Sequence, residues 1–392
     1  MLVLELALTC AIVCNAVFLI QQRLQRMDLP SGIAENQLVQ IQLGYIGKAR
    51  DAKAQAEADL AALRQIPGVK QVGIVDHLPF SNGGSSNGGI KLRPHQQHDT
   101  AEVAEYFGQN LFSTLGLRRV AGRQFGPDEC VNFGAAVAAL QTDDIKNIPQ
   151  TLIMTRALAE RLWPGESALG KTVYFGNDLQ FRIIGVVADL ARPNQLQEGA
   201  GLSVLFPIHM TSADGGSYVI RTAPQDRQRV LKAALVNLKQ LGPNRVVPRA
   251  RTDQQARHQF FASDRAMAGM LVGVIVVLLL VTGLGIVALA SFWVAQRRKQ
   301  IGIRRALGAR RIDILRYFQT ENFLIVTFGI VLGMVLAYGL SLLLMQHYEL
   351  PRLPWFYLPI GAVALWVIGR LAVLGSALRA AAVPPVGATR SG

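Results

Sequence analysis

Residues 297–316, RRKQIGIRRALGARRIDILR, hold eight Lys or Arg residues and a single acid, Asp313, between two long uncharged apolar runs. The runs are Met267 to Ala295 and Asn322 to Met345. Each exceeds the roughly 20 residues that a helix needs to cross a hydrocarbon core. Short cytoplasmic loops carry the Lys/Arg excess of membrane proteins, so the block is expected to face the cell interior. That one loop sets the orientation of the whole chain.

Two more apolar runs flank this pair, about Leu2 to Ile20 and about Trp355 to Leu378. The 392 residues are 51% hydrophobic with a net charge of +14. The apolar excess sits in these four blocks, which predicts a membrane protein with one large soluble part. A pI near 10.1 would suit nucleic-acid binding in a soluble chain. Here the densest charge flanks membrane spans, where orientation accounts for it, and no nucleic-acid partner is expected. The first run lacks a basic lead and a small-x-small site before Gln21, so it reads as an uncleaved span rather than a signal peptide. Arg370 falls near the cytoplasmic end of the fourth run, where it snorkels or faces the bundle. Cys10 and Cys14 lie in the first run and Cys130 stands alone, so the cysteines supply no disulfide framework.

The expected fold class is therefore membrane α-helical, with four transmembrane helices and a large α+β extracytoplasmic domain. The expected order is a first transmembrane helix over 1–22, the extracytoplasmic domain over 23–252, a stalk and second helix over 253–296, and a cytoplasmic segment over 297–318. A third helix over 319–346, an external loop over 347–354, a fourth helix over 355–378 and a cytoplasmic tail over 379–392 complete it. Helical character is expected to run unbroken from about Thr252 to Gln296, roughly 65 Å at 1.5 Å per residue, so that about half would project from a hydrocarbon core of about 30 Å as a stalk.

Within the external domain, Gln37 to Leu43 alternates with period two, as a half-buried strand does. A helix over Asp51 to Ile66 and a strand over Val69 to Val75 follow. A similar β-α-β unit recurs as Tyr218 to Arg221, Asp226 to Leu241 and Arg245 to Ala250, and LAALRQIPGVKQV parallels LVNLKQLGPNRVV. Two such units, over 23–76 and 213–252, make a four-stranded sheet with two helices on one face. Residues 77–212 are then a strand-rich insertion that opens on a flexible Gly/Ser/Asn loop over Ser81 to Gly89.

Gly165 to Thr172 spells GxxxxGK[ST], but the phosphate-binding form needs a strand before it and a helix after it. Here a helix precedes and a strand-like run follows, so the match is a coincidence of spelling. His95 and His98 sit in a polar loop without a third ligand in register, and no metal is expected. No Ser/His/Asp grouping has supporting turn context. Gly269-x-x-x-Gly273 and Gly329-x-x-x-Gly333 let helices approach closely, whether within the chain or between copies. In the basic block, Ile301, Ile303, Ala306 and Leu307 interleave with the charges before Gly308, a pattern suited to docking on a protein surface as well as to anionic lipid.

Val294 to Ala309, VAQRRKQIGIRRALGA, resembles the signature of MacB/FtsX-type ABC transporter permeases. Asn110 to Phe125, Ala157 to Lys171 and Ile183 to Asp189 are similar to the MacB-like periplasmic core, so the resemblance spans nearly the whole chain. It implies that Gly302, Ile303, Arg304, Arg305, Ala306, Leu307, Gly308 and Ala309 form a coupling helix against a cytoplasmic ABC ATPase subunit. It implies a homodimer or heterodimer of permeases in a bacterial inner membrane, with the N-terminus cytoplasmic and the large domain periplasmic. It also implies a periplasmic adaptor and a TolC-like outer-membrane duct as partners, and efflux of amphiphilic compounds or peptides. No cofactor and no catalytic residue is expected in this chain, with ATP and Mg on an ATPase expected to be a separate polypeptide. Gln296 and Gln300 stand where the family commonly has acids. A lipoprotein-releasing permease, an FtsX-like regulator of a periplasmic cell-wall hydrolase and a non-transport membrane anchor are the alternatives.

Overall fold

The computed structural model describes residues 2–46, 51–80, 86–108, 110–142, 148–193, 199–242, 244–297, 300, 303–304, 310–348, 354 and 357–381. The chain divides into two compact units, one of Asp28–Ala262 and one of Met1–Met27 with Ser263–Gly392.

Among the described residues the Asp28–Ala262 unit contains two larger sheets and a two-stranded pair. The first joins β1 (Leu38–Tyr45), β2 (Val69–Val75), β12 (Ser217–Thr222) and β13 (Arg245–Thr252) in the order β13-β1-β12-β2, every neighbour antiparallel. Helix α2 (Ala52–Arg64) connects β1 to β2, and α6 (Arg227–Gln240) connects β12 to β13. Asp51 starts α2 by accepting the Ala54 N–H at 2.9 Å, the role that aspartate fills at helix N-caps. Val39, Ile41, Ile74, Tyr218 and Ile220 pack against Leu60, Leu63, Val230, Ala234 and Leu238 from the two helices.

Period-two alternation in β1 predicts one wet face, and the structure departs from that. Leu38 and Val219, on the reverse face, join a second core with Leu111, Leu115, Tyr106 and Val187. Gln40 is only 5% exposed. The insertion supplies the cover, which sequence alternation in β1 alone does not reveal.

The second sheet uses β3 (Ser86–Lys91), β4 (Ala101–Phe107), β5 (Arg119–Gly122), β7 (Thr151–Thr155), β8 (Thr172–Phe175), β9 (Leu179–Val187) and β10 (Ser203–Phe206), in the order β5-β9-β7-β10-β4-β3-β8. β8 also pairs with β9, Val173 opposite Phe181, so the sheet closes on itself. Val103, Val173, Phe175, Phe181, Val204 and Phe206 form its core together with Ala136 from α4 (Phe133–Gln141) and Leu158 from α5 (Arg156–Leu162). The short strands β6 (Val131–Asn132) and β11 (Ile208–His209) pair beside it.

The loop expected over Ser81 to Gly89 is in part β3; residues 81–85 lie outside the described residues. A Cβ on Gly88 would lie 2.1 Å from Glu105 Oε1, and one on Gly89 would lie 1.8 Å from Asp99 Oδ2. The glycines here serve close packing in a strand rather than chain flexibility.

In the other unit, α1 (Leu2–Met27), α8 (Ala262–Gln296), α9 (Arg311–Tyr348) and α10 (Leu358–Ala381) are the long helices. Three of them contain a stretch long and apolar enough to cross a membrane, Leu2–Met27, Ala262–Gln296 and Gln319–Leu342, with mean hydropathies of 2.3, 3.0 and 2.4. Within α10 the apolar stretch is the shorter Gly361–Ala372. Gly329 and Gly333 of α9 face α1; a Cβ at Gly333 would lie 2.5 Å from Cys10 Cβ and 2.7 Å from the Ala7 carbonyl. Asn15 Nδ2 donates to the Ala337 carbonyl at 3.3 Å across the same seam. Thr9 and Thr282 share a hydroxyl hydrogen bond of 2.9 Å. No described residue lies within 4 Å of where a Cβ on Gly269 or Gly273 would stand, so among the described residues the second glycine pair is the one that packs against another helix of this chain.

The stalk is not one continuous helix. Helix α7 (Asp253–Phe260) ends at Phe261, and α8 starts at Ala262. Phe261 is 1% exposed, with its ring 5.3 Å from Phe80 and 4.9 Å from Phe260. Burying that ring takes Phe261 out of helical geometry, a tertiary demand that outweighs local propensity.

Candidate coupling segment

Helix α8 ends at Gln296 and α9 begins at Arg311, so the basic segment spans the interval between two long apolar helices. Both ends are held. Arg297 Nη1 lies 3.2 Å from Glu321 Oε2 and 3.2 Å from the Tyr317 hydroxyl, one turn earlier on α9. Asp313 accepts the Arg310 N–H at 3.0 Å, satisfying a donor at the start of α9 and placing an anion at its positive end.

Among the eight residues expected at the coupling site, Ile303 and Arg304 are described, and both are helical. Gly302, Arg305, Ala306, Leu307, Gly308 and Ala309 lie outside the described residues. Ile303 is 59% exposed. The Arg304 guanidinium lies 5.1 Å from the Tyr317 ring centroid, inside the range of cation–π attraction. Tyr317 thus serves both Arg297 and Arg304, through its hydroxyl and its face. Sequence pattern alone assigns no role to Tyr317 or Glu321. The available signal was Glu321 itself, a carboxylate on the rim of an apolar run beside a block of cations.

The other sequence candidates take different roles. Lys171 of the GxxxxGK[ST] match pairs with Glu166 and lies 4.8 Å from the Trp163 ring, on the loop between α5 and β8. Its ammonium is engaged within that loop, and a strand follows where a phosphate site needs a helix. His95 Nδ1 contacts Asp178 at 2.7 Å, with the imidazole 91% exposed. Among the described residues no three His, Cys, Asp or Glu side chains converge as a metal site.

Arg257, a stalk position by sequence, is instead a hub of the Asp28–Ala262 unit. It pairs with Glu35 at 2.5 Å, donates to the Leu29 carbonyl at 2.7 Å and lies 4.6 Å from the Phe80 ring. Asp253 at the start of α7 is buried, and burial pushes its pKa up to about 7. The Glu35 carboxylate adds to that rise, while Arg251 and Arg257 oppose it.

The model of the MacB-like periplasmic core domain matches residues 6–238, and that of the FtsX-like permease C-terminal domain matches residues 272–385. The macrolide export ATP-binding/permease protein MacB of Campylobacter jejuni is 26% identical over 242 residues, covering 60% of this chain and 35% of that protein. The protein of the same description from Aggregatibacter actinomycetemcomitans is 25% identical over 257 residues, covering 64% and 37%. The chain thus spans little more than a third of the length of these curated relatives. Two solved structures are similar at low identity. The periplasmic region of MacB from Actinobacillus actinomycetemcomitans shares 16% identity and a TM-score of 0.34, over 58% of this chain and 94% of that one. The extracellular domain of the noncanonic ABC-type transporter YknZ from Gram-positive bacteria shares 18% and 0.32, over 54% and 100%. With the core-domain match covering more than half of the residues and the permease match taking up most of the remainder, the chain belongs to the MacB/FtsX family of ABC transporter permeases.

Proposed function

We propose that this chain is the permease component of a MacB-like ABC exporter in a bacterial inner membrane. It crosses the membrane four times, with α10 as the last span, the N-terminus and the 297–318 segment in the cytoplasm and the Asp28–Ala262 unit in the periplasm. The observation that carries the reading is the segment between α8 and α9. It is basic, it exposes Ile303, and its two flanks are pinned by Arg297 and Asp313. An exposed apolar side chain on a cationic segment with braced flanks suits contact with a protein surface.

In this reading an ABC ATPase, with its own ATP and Mg, engages residues 302–309 and moves α8. Movement passes along the chain through Phe261 to α7 and β13. The periplasmic unit then drives efflux of amphiphilic compounds or peptides, in a dimer of permeases working with an adaptor and an outer-membrane duct. No residue of this chain performs the hydrolysis.

The test is purification in mild detergent with identification of co-eluting proteins, followed by ATPase and efflux assays on variants. Arg304→Glu and Gly308→Pro are expected to insert normally while ATP hydrolysis no longer supports efflux. A cysteine at position 304 is expected to label from the cytoplasmic side. Periplasmic labelling, or full efflux in both variants, would sink the proposal. Co-elution with a cell-wall hydrolase and no adaptor, or loss of outer-membrane lipoproteins on deletion, would move the assignment to a regulator or a lipoprotein-releasing permease.

A further inference from the structure

A cavity of about 150 Å³ lies against the core of the closed sheet. Phe107, Phe175, Phe181 and Phe206 line it, and their rings pack as neighbours at centroid distances from 5.0 to 5.7 Å. Ala136 of α4 contributes a small residue to the wall. Among the described residues the rest of the lining is apolar apart from one carboxylate, Glu105.

Glu105 is out of place by the rules of a strand. It alternates with Val103 and Phe107 along β4, on the face that builds the apolar core. A carboxylate there is costly unless it meets a partner. Ser86, directly opposite on β3, donates its hydroxyl to Oε2 at 2.7 Å. The other oxygen, Oε1, occupies the space left by Gly88; a Cβ on Gly88 would lie 2.1 Å from Oε1 and 3.3 Å from Phe175. The glycine therefore admits the carboxylate alongside the aromatic wall. Burial raises the Glu105 pKa, with the Ser86 hydroxyl acting against that rise.

We propose that this cavity binds a small amine bearing one aromatic ring or a comparable alkyl group, with its ammonium on Glu105 and its apolar body among the four phenylalanines. The volume sets the size of the occupant: an apolar protein cavity of about 150 Å³ accommodates benzene. Charge sets its head group: the half-buried Glu105 carboxylate, held by Ser86, stands beside the aromatic wall, where an ammonium would add a charge-assisted contact and the aromatic faces attract the same cation. A mostly apolar pocket with a single convergent polar group is the ordinary anatomy of a small-molecule site, and mouths of closed sheets are a frequent location. A volume of about 150 Å³ suits one ring rather than several. The site requires no ATPase and stands apart from the coupling proposal.

The test uses the full chain in lipid nanodiscs, with empty nanodiscs as the blank, and fluorine NMR titration of 4-fluorobenzylamine and its neutral counterpart 4-fluorotoluene. The wild-type chain is expected to bind the amine at least about tenfold more tightly than the neutral compound, a ratio within reach of one charge-assisted contact. Glu105→Gln is expected to bring the two affinities within about threefold of each other while the neutral compound still binds. Ala136→Phe, which fills the cavity, is expected to bind neither. Should Ala136→Phe lose its unfolding transition, Glu105→Gln decides alone. No saturable amine binding by the wild type, or an undiminished amine preference in Glu105→Gln, would overturn the proposal.

Discussion

Asp253→Asn is expected to make the chain more stable at neutral and alkaline pH and to remove part of its pH dependence. Asp253 is 3% exposed, and Oδ1 has no hydrogen-bond partner among the described residues. Its pKa stands at about 7 against an ordinary 3.8. The folded state therefore holds a proton on this carboxyl, between those two values, that the unfolded state has released. Stability from this group is complete below pH 3.8, declines as pH rises to about 7 and is flat above that. A shift of that size corresponds to about 4 kcal/mol lost across the window. The charged groups acting on it are Glu35, which raises its pKa, and Arg251 and Arg257, which lower it. Asparagine keeps the shape and never ionises. At pH 8 the variant is expected to exceed the wild type by up to about 4 kcal/mol, or roughly 8–16 °C in Tm for a unit of this size. Near pH 4 the two should converge. The assay is thermal unfolding of the full chain in detergent at pH 4 to 8, comparing variant with wild type so that other titrating groups, Glu105 among them, cancel. A variant-minus-wild-type difference that stays constant over the range would refute the reasoning.

Three further outcomes follow from packing. Asp59 is fully buried, pairs with Arg245 and accepts the Tyr218 hydroxyl at 2.8 Å, tying α2 to β12 and β13. Asp59→Ala removes the buried carboxylate that Arg245 and Tyr218 share and is expected to cost about 3–5 kcal/mol in chemical denaturation, whereas Tyr218→Phe is expected to cost about 1.5–3 kcal/mol. Gly333→Val forces a side chain against Cys10 and Ala7 and is expected to lower the Tm in detergent; Gly269→Val, with open space around it, is expected to change stability by less than about 0.5 kcal/mol. Tyr317→Ala removes the ring and hydroxyl that hold Arg304 and Arg297; if the chain works as proposed above, the variant lowers ATP-coupled efflux without affecting insertion, as an efflux assay would show.

Local elements were largely legible because short-range chemistry specifies them. The helix expected over Asp51 to Ile66 spans Ala52–Arg64, and the strand expected over Val69 to Val75 has those bounds. Asp51 and Pro67-Gly68 are start and stop signals that need no distant partner. Long-range arrangements left weaker traces. Closure of the second sheet depends on β8 pairing with β9 and β4 pairing with β10, and the latter joins residues about a hundred positions apart. Phe261 looked like one more helical residue because its burial depends on Phe80, far away in sequence. Glycines misled in both directions. Gly88 and Gly89 suggested a loop but sit in β3, and the two glycine pairs in the apolar helices look alike in sequence, yet only Gly329 and Gly333 meet another helix of this chain. At the candidate coupling segment, the charge block was plain while Tyr317 and Glu321 were not, since their roles emerge only when Arg297, just past α8, meets α9.

The outer strand β13 also bears on how this protein avoids unwanted company. An unpaired β edge is a template on which a second extended chain can add, and the four-stranded sheet leaves one side of β13 unpaired. Pro248 interrupts its row of amide donors, and the register shifts between Gln42 and Gly44 on the partner strand next to it. Arg249 adds a positive charge to the same strand that would repel an identical neighbour. Replacing Pro248 with valine and Arg249 with threonine would strip both guards from that border.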